Sequence, residues 1–196
     1  MKQHLRPAIA ILLGLSIVTG VAYPAVVTLA TRLIFPGRAT GSIVLRDHRA
    51  VGSRLIGQSF TDPGHFWGRP SATTPTPYDA EASAGSDLAL SNPVDADSIA
   101  ARAARLRAAD PGNAAPIPAD LLTASASGLD PDISPEGASY QVPRIVRVRA
   151  LPDSVVRMLV ARATTGRALG LFGEPRVNVL LLNLALDSTA AARRTR

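Results

Sequence analysis

The chain contains no cysteine and a single lysine, Lys2, among its 21 basic residues. Without thiols there is no thiolate nucleophile and no cysteine-ligated zinc. The absence is neutral about redox compartment, because a cysteine-free domain suits either. A lysine confined to position 2 leaves the body of the chain without a phosphate-loop, Schiff-base or kinase-type lysine. Aromatic residues make up only 4% of the 196 residues and include one tryptophan, Trp67. The formal net charge of +6 therefore does not point to nucleic acid: the arginines are spread along the chain, with neither a basic stripe nor stacking platforms. A chain-wide preference for Arg over Lys reads as codon bias.

Catalytic motifs are equally scarce. There is no G-x-S-x-G, no H-E-x-x-H and no close histidine pair. Of the three histidines, His4 precedes a long apolar run, His48 falls in an expected turn, and His65 lies beside Arg69 and Ser71 in HFWGRPS. A hydrolytic use of His65 is one reading there, but a packed or surface histidine is the plainer one. Asp130-x-Asp132 with Glu136 looks like the opening of a calcium loop, yet Ser134 and Pro135 stand where a fifth-position ligand and the sixth-position glycine are needed. The same residues make better sense as a turn at Asp130-Pro131 followed by a helix with Ser134 as N-cap and Pro135 in its first position.

Charge is also missing between Arg6 and Arg32, where PAIAILLGLSIVTGVAYPAVVTLAT is almost wholly apolar. About 20 helical residues cross a bilayer core of about 30 Å, so this run spans it. Gly14, Gly20 and Pro24 would weaken a soluble helix but are common in membrane helices. The run exceeds a signal-peptide core of about 7–15 residues and ends in no clean A-x-A site, Gly20-Val21-Ala22 being the nearest approach. It is expected to be an uncleaved anchor. The flanking Lys and Arg do not place the N-terminus inside; alone they lean slightly the other way.

Beyond the span, 35–42 reads as a turn-rich linker. Apolar runs at 42–45 and 51–56 around RDHR suggest a hairpin, although no Asn-Gly or Asp-Gly marks its turn. From 61 to 93 the chain is rich in Pro, Gly, Ser, Thr and Asp, and a loop that long needs pinning, for which Phe66, Trp67 and Tyr78 are the expected residues. Helices are expected at 98–110, with Ile99, Ala103 and Leu106 on one face and Arg102 and Arg105 on another, at a short segment from Pro118, and across LPDSVVRMLVARATTG. VNVLLLNLAL suits a buried strand or a buried helix, helix being favoured, and the final AAARRTR is expected to fray.

Several stretches, in order, then carry a resemblance over about 5–187: LRPAIA, TGVAYPAVVT, VGSRLIGQSF, HFWGRPSA, SAGSDLALSNP, DLLTASASGLDPDISPEGASYQVPRI and GEPRVNVLLLNLALD. Together they are similar to the C chain of the bacterial potassium-transporting P-type ATPase, the KdpC family. Asp132 departs from the His or Asn common there, and Trp67 from a frequent His, which argues against metal or acid–base work at those positions. The expected architecture is α+β: one N-terminal transmembrane helix, then a single soluble domain with a small β-hairpin or sheet and several helices. The divisions are 1–6 (short N-terminus), 7–34 (anchor), 35–41 (linker), 42–187 (soluble domain) and 188–196 (frayed basic tail).

The resemblance implies a non-catalytic accessory subunit of a high-affinity, ATP-driven potassium import pump in a bacterial inner membrane. It implies a cytoplasmic N-terminus with the soluble domain outside the cytoplasm. The implied partners are a potassium-translocating subunit, a catalytic P-type ATPase subunit, a small stabilising subunit and the lipid bilayer, with no nucleic acid. Consistently, the D-K-T-G phosphorylation motif is absent. Two roles follow from the family. In one, the chain modulates the catalytic subunit by raising its ATP affinity, with Ser127, Gly128 and Gln141 as the candidate contacts to a shared ATP and no cofactor held by this chain alone. In the other, favoured because an external domain cannot reach cytoplasmic ATP across about 30 Å of hydrocarbon, the domain docks on a companion chain. Trp67, Arg69, Gln141 and Arg144 are the candidate docking residues, and 127–144 is then a docking loop or an internal brace. The rival classes are a membrane-tethered extracytoplasmic hydrolase using His65 and Ser71, and an arginine-driven binder of anionic polymers.

Overall fold

A computed structural model of the chain describes residues 2–89 and 91–194. Its contacts divide into two units, one up to Val51 and one from Gly52 onward. In the first, α1 (Lys2–Ile17), a π-type turn (Val18–Ala22) and α2 (Tyr23–Ile34) follow one another without a break. Gln3–Ile34 is long and apolar enough to cross a membrane. The widened turn lies just before Pro24, whose missing N–H removes the bond that Gly20 would otherwise accept. Two threonine hydroxyls inside the span are satisfied by the helix itself, Thr19 Oγ1 donating to the Leu15 carbonyl at 2.7 Å and Thr31 Oγ1 to that of Val27 at 2.8 Å.

The linker is more ordered than its composition suggests. Pro36–Ala39 forms a helical turn, α3, with Pro36 in the first position and Thr40 Oγ1 donating back to the Pro36 carbonyl at 3.0 Å. The hairpin follows as β1 (Ile43–Arg46) and β2 (Arg49–Ser53). Its turn residues Asp47 and His48 both have positive φ, 50° and 60°. Two such residues are what a two-residue primed turn requires, and Asp and His tolerate that region better than most.

In the second unit, α4 (Pro93–Ala109) starts earlier than expected, because Asn92 Oδ1 accepts from the Val94 N–H at 3.0 Å and Pro93 takes the first position. The segment from Pro118 makes only a single 3-10 turn, Ala119–Leu121. Then β3 (Asp132–Ile133) leads into α5 (Pro135–Arg149), followed by α6 (Asp153–Ala163), β4 (Thr164–Thr165), β5 (Arg176–Asn178) and α7 (Val179–Arg194). The short strands form an antiparallel sheet in the order β3-β5-β4, with Ile133 opposite Val177 and Thr164 opposite the same residue. The core lies where α5, α6, α7 and the sheet meet, around Ile133, Val142, Ile145, Val156, Val177 and Leu182.

VNVLLLNLAL is thus strand and helix in turn. Asn178 ends β5 and caps α7, its Oδ1 accepting from the Leu181 N–H at 3.1 Å. α7 continues to Arg194 through most of the segment expected to fray, an alanine-rich stretch of high helix propensity; Thr195 and Arg196 lie outside the described residues. The Ser134 cap forms as read, accepting from the Gly137 N–H at 2.8 Å, and α5 ends at Ala150 in the left-handed conformation.

At Asp132 burial outweighs an ion pair. Its Oδ2 lies 3.1 Å from Arg176 Nε and its Oδ1 accepts from Asn178 at 3.1 Å, yet burial outweighs both and raises its pKa above 3.8. The folded state therefore binds this proton more tightly than the unfolded state does. The carboxylate costs stability at neutral pH, and that cost fades as pH falls through the raised value. Asp132→Asn is expected to match or exceed the wild-type urea midpoint at pH 7. Its advantage should shrink on acidification towards pH 4. A variant clearly weaker at pH 7 would show the ion pair to be stabilising.

Candidate functional site

The loop after β2 has almost no regular backbone pairing, so side chains must hold it. Phe66 is fully buried and Trp67 nearly so, as their role as pins requires. Two carboxamides from different helices grip these consecutive residues. Gln141 on α5 accepts from the Trp67 N–H at 2.8 Å and donates to the Trp67 carbonyl at 3.0 Å. Asn183 on α7 does the same for Phe66, at 2.8 Å and 3.0 Å. Each amide acts as a one-residue strand edge, satisfying a buried N–H and C=O that have no backbone partner.

Arg144 reinforces the grip. It is 2% exposed, donates to the carbonyls of Pro63 and His65 (2.9 Å for the latter) and to Gln141 Oε1 at 2.6 Å, and its guanidinium lies 4.4 Å from the centre of the Trp67 ring. Burial pulls its pKa down to about 10, still well above neutral, so the charge persists. Three carbonyl-type oxygens and an aromatic face solvate a cation that no carboxylate pairs among the described residues. Arg105 also stacks on Trp67, 4.7 Å from the ring centre. The indole thus meets two guanidinium groups while its Nε1–H donates to the Asp62 carbonyl at 2.9 Å.

His65 ties the same loop to both helices. Its Nδ1 lies 3.2 Å from Asp62 Oδ2, and its Nε2 lies 3.2 Å from Asp187 Oδ1 and 2.8 Å from Arg149 Nη2. Arg149 also reaches Asp187 at 2.7 Å. Ser71 belongs to a different network, donating to the Gly128 carbonyl at 2.7 Å and accepting from the Tyr78 N–H at 2.9 Å. His65 and Ser71 share no hydrogen bond among the described residues, so the chemistry of a nucleophile and its base is not assembled.

The residues read from sequence therefore separate. Gln141 and Arg144 are within the domain, behind the loop they hold. Ser127 and Gly128 belong to a tight turn: Ser127 Oγ accepts from the Leu129 N–H at 3.2 Å, and Gly128 has φ of 66°. A Cβ on Gly128 would come within 2.6 Å of the Ala84 carbonyl oxygen, so this glycine allows two backbones to approach. Gln141 shares no hydrogen-bond partner with this turn. Asp130 accepts from Arg69 at 2.9 Å and from the Asp132 N–H at 3.0 Å, fixing the bend before β3.

Trp67 and Arg69 do reach a common feature, a cleft of ≈ 240 Å³ between the loop and α4. Tyr78 and Leu106 line it with them, as do Arg102 and Arg105, which sequence periodicity assigned to a different helix face from Ile99, Ala103 and Leu106. Only the fold brings these arginines to Trp67, so no local pattern marks them. The Tyr78 hydroxyl donates to the Arg69 carbonyl at 2.5 Å, and burial pushes its pKa up to about 12. Elsewhere in the second unit, between β4 and β5, Leu169, Leu171 and Phe172 are 90%, 75% and 67% exposed.

Comparison with known proteins covers almost the entire chain. Residues 5–188 match the family model described as KdpC, the c chain of the K+-transporting ATPase. The chain is 61% identical over 188 residues to the potassium-transporting ATPase KdpC subunit of Polaromonas naphthalenivorans, covering 96% of each protein. It is similar to the subunits of the same name from Sorangium cellulosum, at 59% identity over 95% of this chain and 98% of that one, and from Variovorax paradoxus, at 58% over 98% and 100%.

Proposed function

The chain belongs to the KdpC family of K+-transporting ATPase c chains, and from that premise we propose that it is a non-catalytic accessory subunit, tethered by its single span, whose soluble domain docks from outside the cytoplasm on companion chains of the pump. A potassium-translocating chain, a catalytic ATP-hydrolysing chain and a small stabilising chain are the companions this role requires. The contribution is assembly: a rigid surface held against the translocating chain.

One observation carries the assignment. The domain spends its most distinctive polar side chains, Gln141, Asn183 and Arg144, on locking one loop, 60–71, into a single shape. A surface prepared in this way loses little entropy on binding, which is what a docking part needs. The exposed Leu169, Leu171 and Phe172 support the same conclusion, since three large apolar side chains so close in the chain and so exposed mark an interaction site. A nucleotide role needs Ser127, Gly128 and Gln141 to converge on one ligand, whereas Gln141 already places its amide on Trp67.

Affinity purification of the full-length chain from native membranes in mild detergent tests the proposal. A large polytopic ATPase and its translocating partner are expected in constant ratio with it. Recovery of the chain alone, as a monomer, would contradict it.

A further inference from the structure

The cleft beside Trp67 has an unbalanced charge. Arg69, Arg102 and Arg105 line it, and no Asp or Glu does. Arg69 is neutralised by Asp130 at 2.9 Å, but its Nε is buried without a hydrogen-bond partner. Arg102 donates to a neutral acceptor, the Leu122 carbonyl, at 2.8 Å. Arg105 is stacked on Trp67. Neither Arg102 nor Arg105 forms an ion pair among the described residues.

We infer that this cleft is a receptor for an acidic side chain presented by a companion chain of the pump, an inference that rests on the docking role proposed above. Charge complementarity sets the sign of the ligand, because two uncompensated guanidinium groups offer planar forks matched to a carboxylate. Size and lining set its class. At ≈ 240 Å³ the space is smaller than the roughly 300–1,000 Å³ typical of small-molecule pockets. An Asp or Glu side chain with its neighbouring backbone fits that scale. A bare inorganic anion would leave the walls formed by Trp67, Tyr78 and Leu106 uncovered, whereas a carboxylate on a methylene stem covers them. Trp, Tyr and Arg together are also the residue types that dominate protein–protein hot spots.

The near absence of lysine makes the test clean. Arg105→Lys places the only side-chain amine of the chain besides Lys2 at the cleft. In the intact pump in native membranes, a water-soluble carbodiimide activates carboxylates. The introduced amine then displaces the urea leaving group and forms an amide with net loss of water. The expected result is an interchain adduct, joining position 105 to an Asp or Glu of a companion chain, identified by mass spectrometry. Wild type and Arg162→Lys, which places the amine on an exposed turn of α6, should not give it. An intact pump with no such adduct, or an adduct only to this chain's own acids or to lipid, would overturn the inference while leaving the docking role standing. Failure of the wild-type chain to co-purify at all would remove both. As a second arm, Arg102→Glu/Arg105→Glu should weaken retention in the pump about 30-fold with the helical signal of the domain preserved. Unchanged retention would also overturn the inference.

Discussion

Replacing Trp67 with alanine is expected to destabilise the soluble domain by about 3–5 kcal/mol. The indole is nearly buried and does three things at once: it fills the space between the loop and α4, donates to the Asp62 carbonyl, and provides the face on which Arg144 and Arg105 rest. Removing it leaves a cavity and strips a buried cation of its aromatic neighbour. For a domain of this size each kcal/mol moves the melting temperature by about 2–4 °C, so a fall of roughly 6–20 °C is expected. Circular dichroism of the full chain in detergent measures it. Trp67→Phe separates the contributions in part, since it retains a ring for the guanidinium groups while losing the N–H bond and the volume of the second fused ring. It should fall well short of the alanine variant. Equal losses in the two would show that packing against the cations contributes nothing.

The second large effect concerns the two carboxamides. Gln141→Leu leaves the Trp67 N–H and C=O unpaired in a buried site, and Asn183→Leu does the same to Phe66. An orphaned buried polar group costs about 1–3 kcal/mol, so each variant should lose about 2–6 kcal/mol. The double variant should lose less than the sum, because the loop released by the first change lets water reach the groups exposed by the second. Denaturant titration of the four proteins gives the coupling directly. Limited proteolysis should show new cleavage within 60–71 in either single variant. Additive losses with an uncut loop would mean that the two amides act on independent structures.

Much of this arrangement was legible in the sequence, and the remainder has a common cause. The Ser134-Pro135 cap, the apolar face of α4 and the long N-terminal span are local patterns, set by residues within a few positions of one another. Asn92 and Asn178 were local signals as well, an N-cap residue before Pro93 in one case and before the LLL run in the other, although neither start was placed by periodicity alone. Gln141 and Arg144 were conspicuous, but whether they point outward to a partner or inward to a brace depends on Trp67 and Pro63, more than seventy positions away. The structure directs both inward. Arg102 and Arg105 illustrate the converse: helical periodicity puts them on a different face from the apolar Ile99, Ala103 and Leu106, and only the position of Trp67 against α4 turns that face into the wall of a cleft. Side-chain direction at long-range contacts is the information that a single sequence carries least.

The role proposed here depends on which side of the membrane the soluble domain occupies. A domain outside the cytoplasm can dock on the translocating chain and cannot reach ATP; a domain inside could do the reverse. The natural absence of cysteine allows a direct measurement. Arg157→Cys introduces one thiol at an exposed position on α6, and a membrane-impermeant maleimide is applied to right-side-out and to inverted membrane vesicles. Labelling in right-side-out vesicles, with none in sealed inverted ones, is the predicted result. Labelling in inverted vesicles alone would contradict the account.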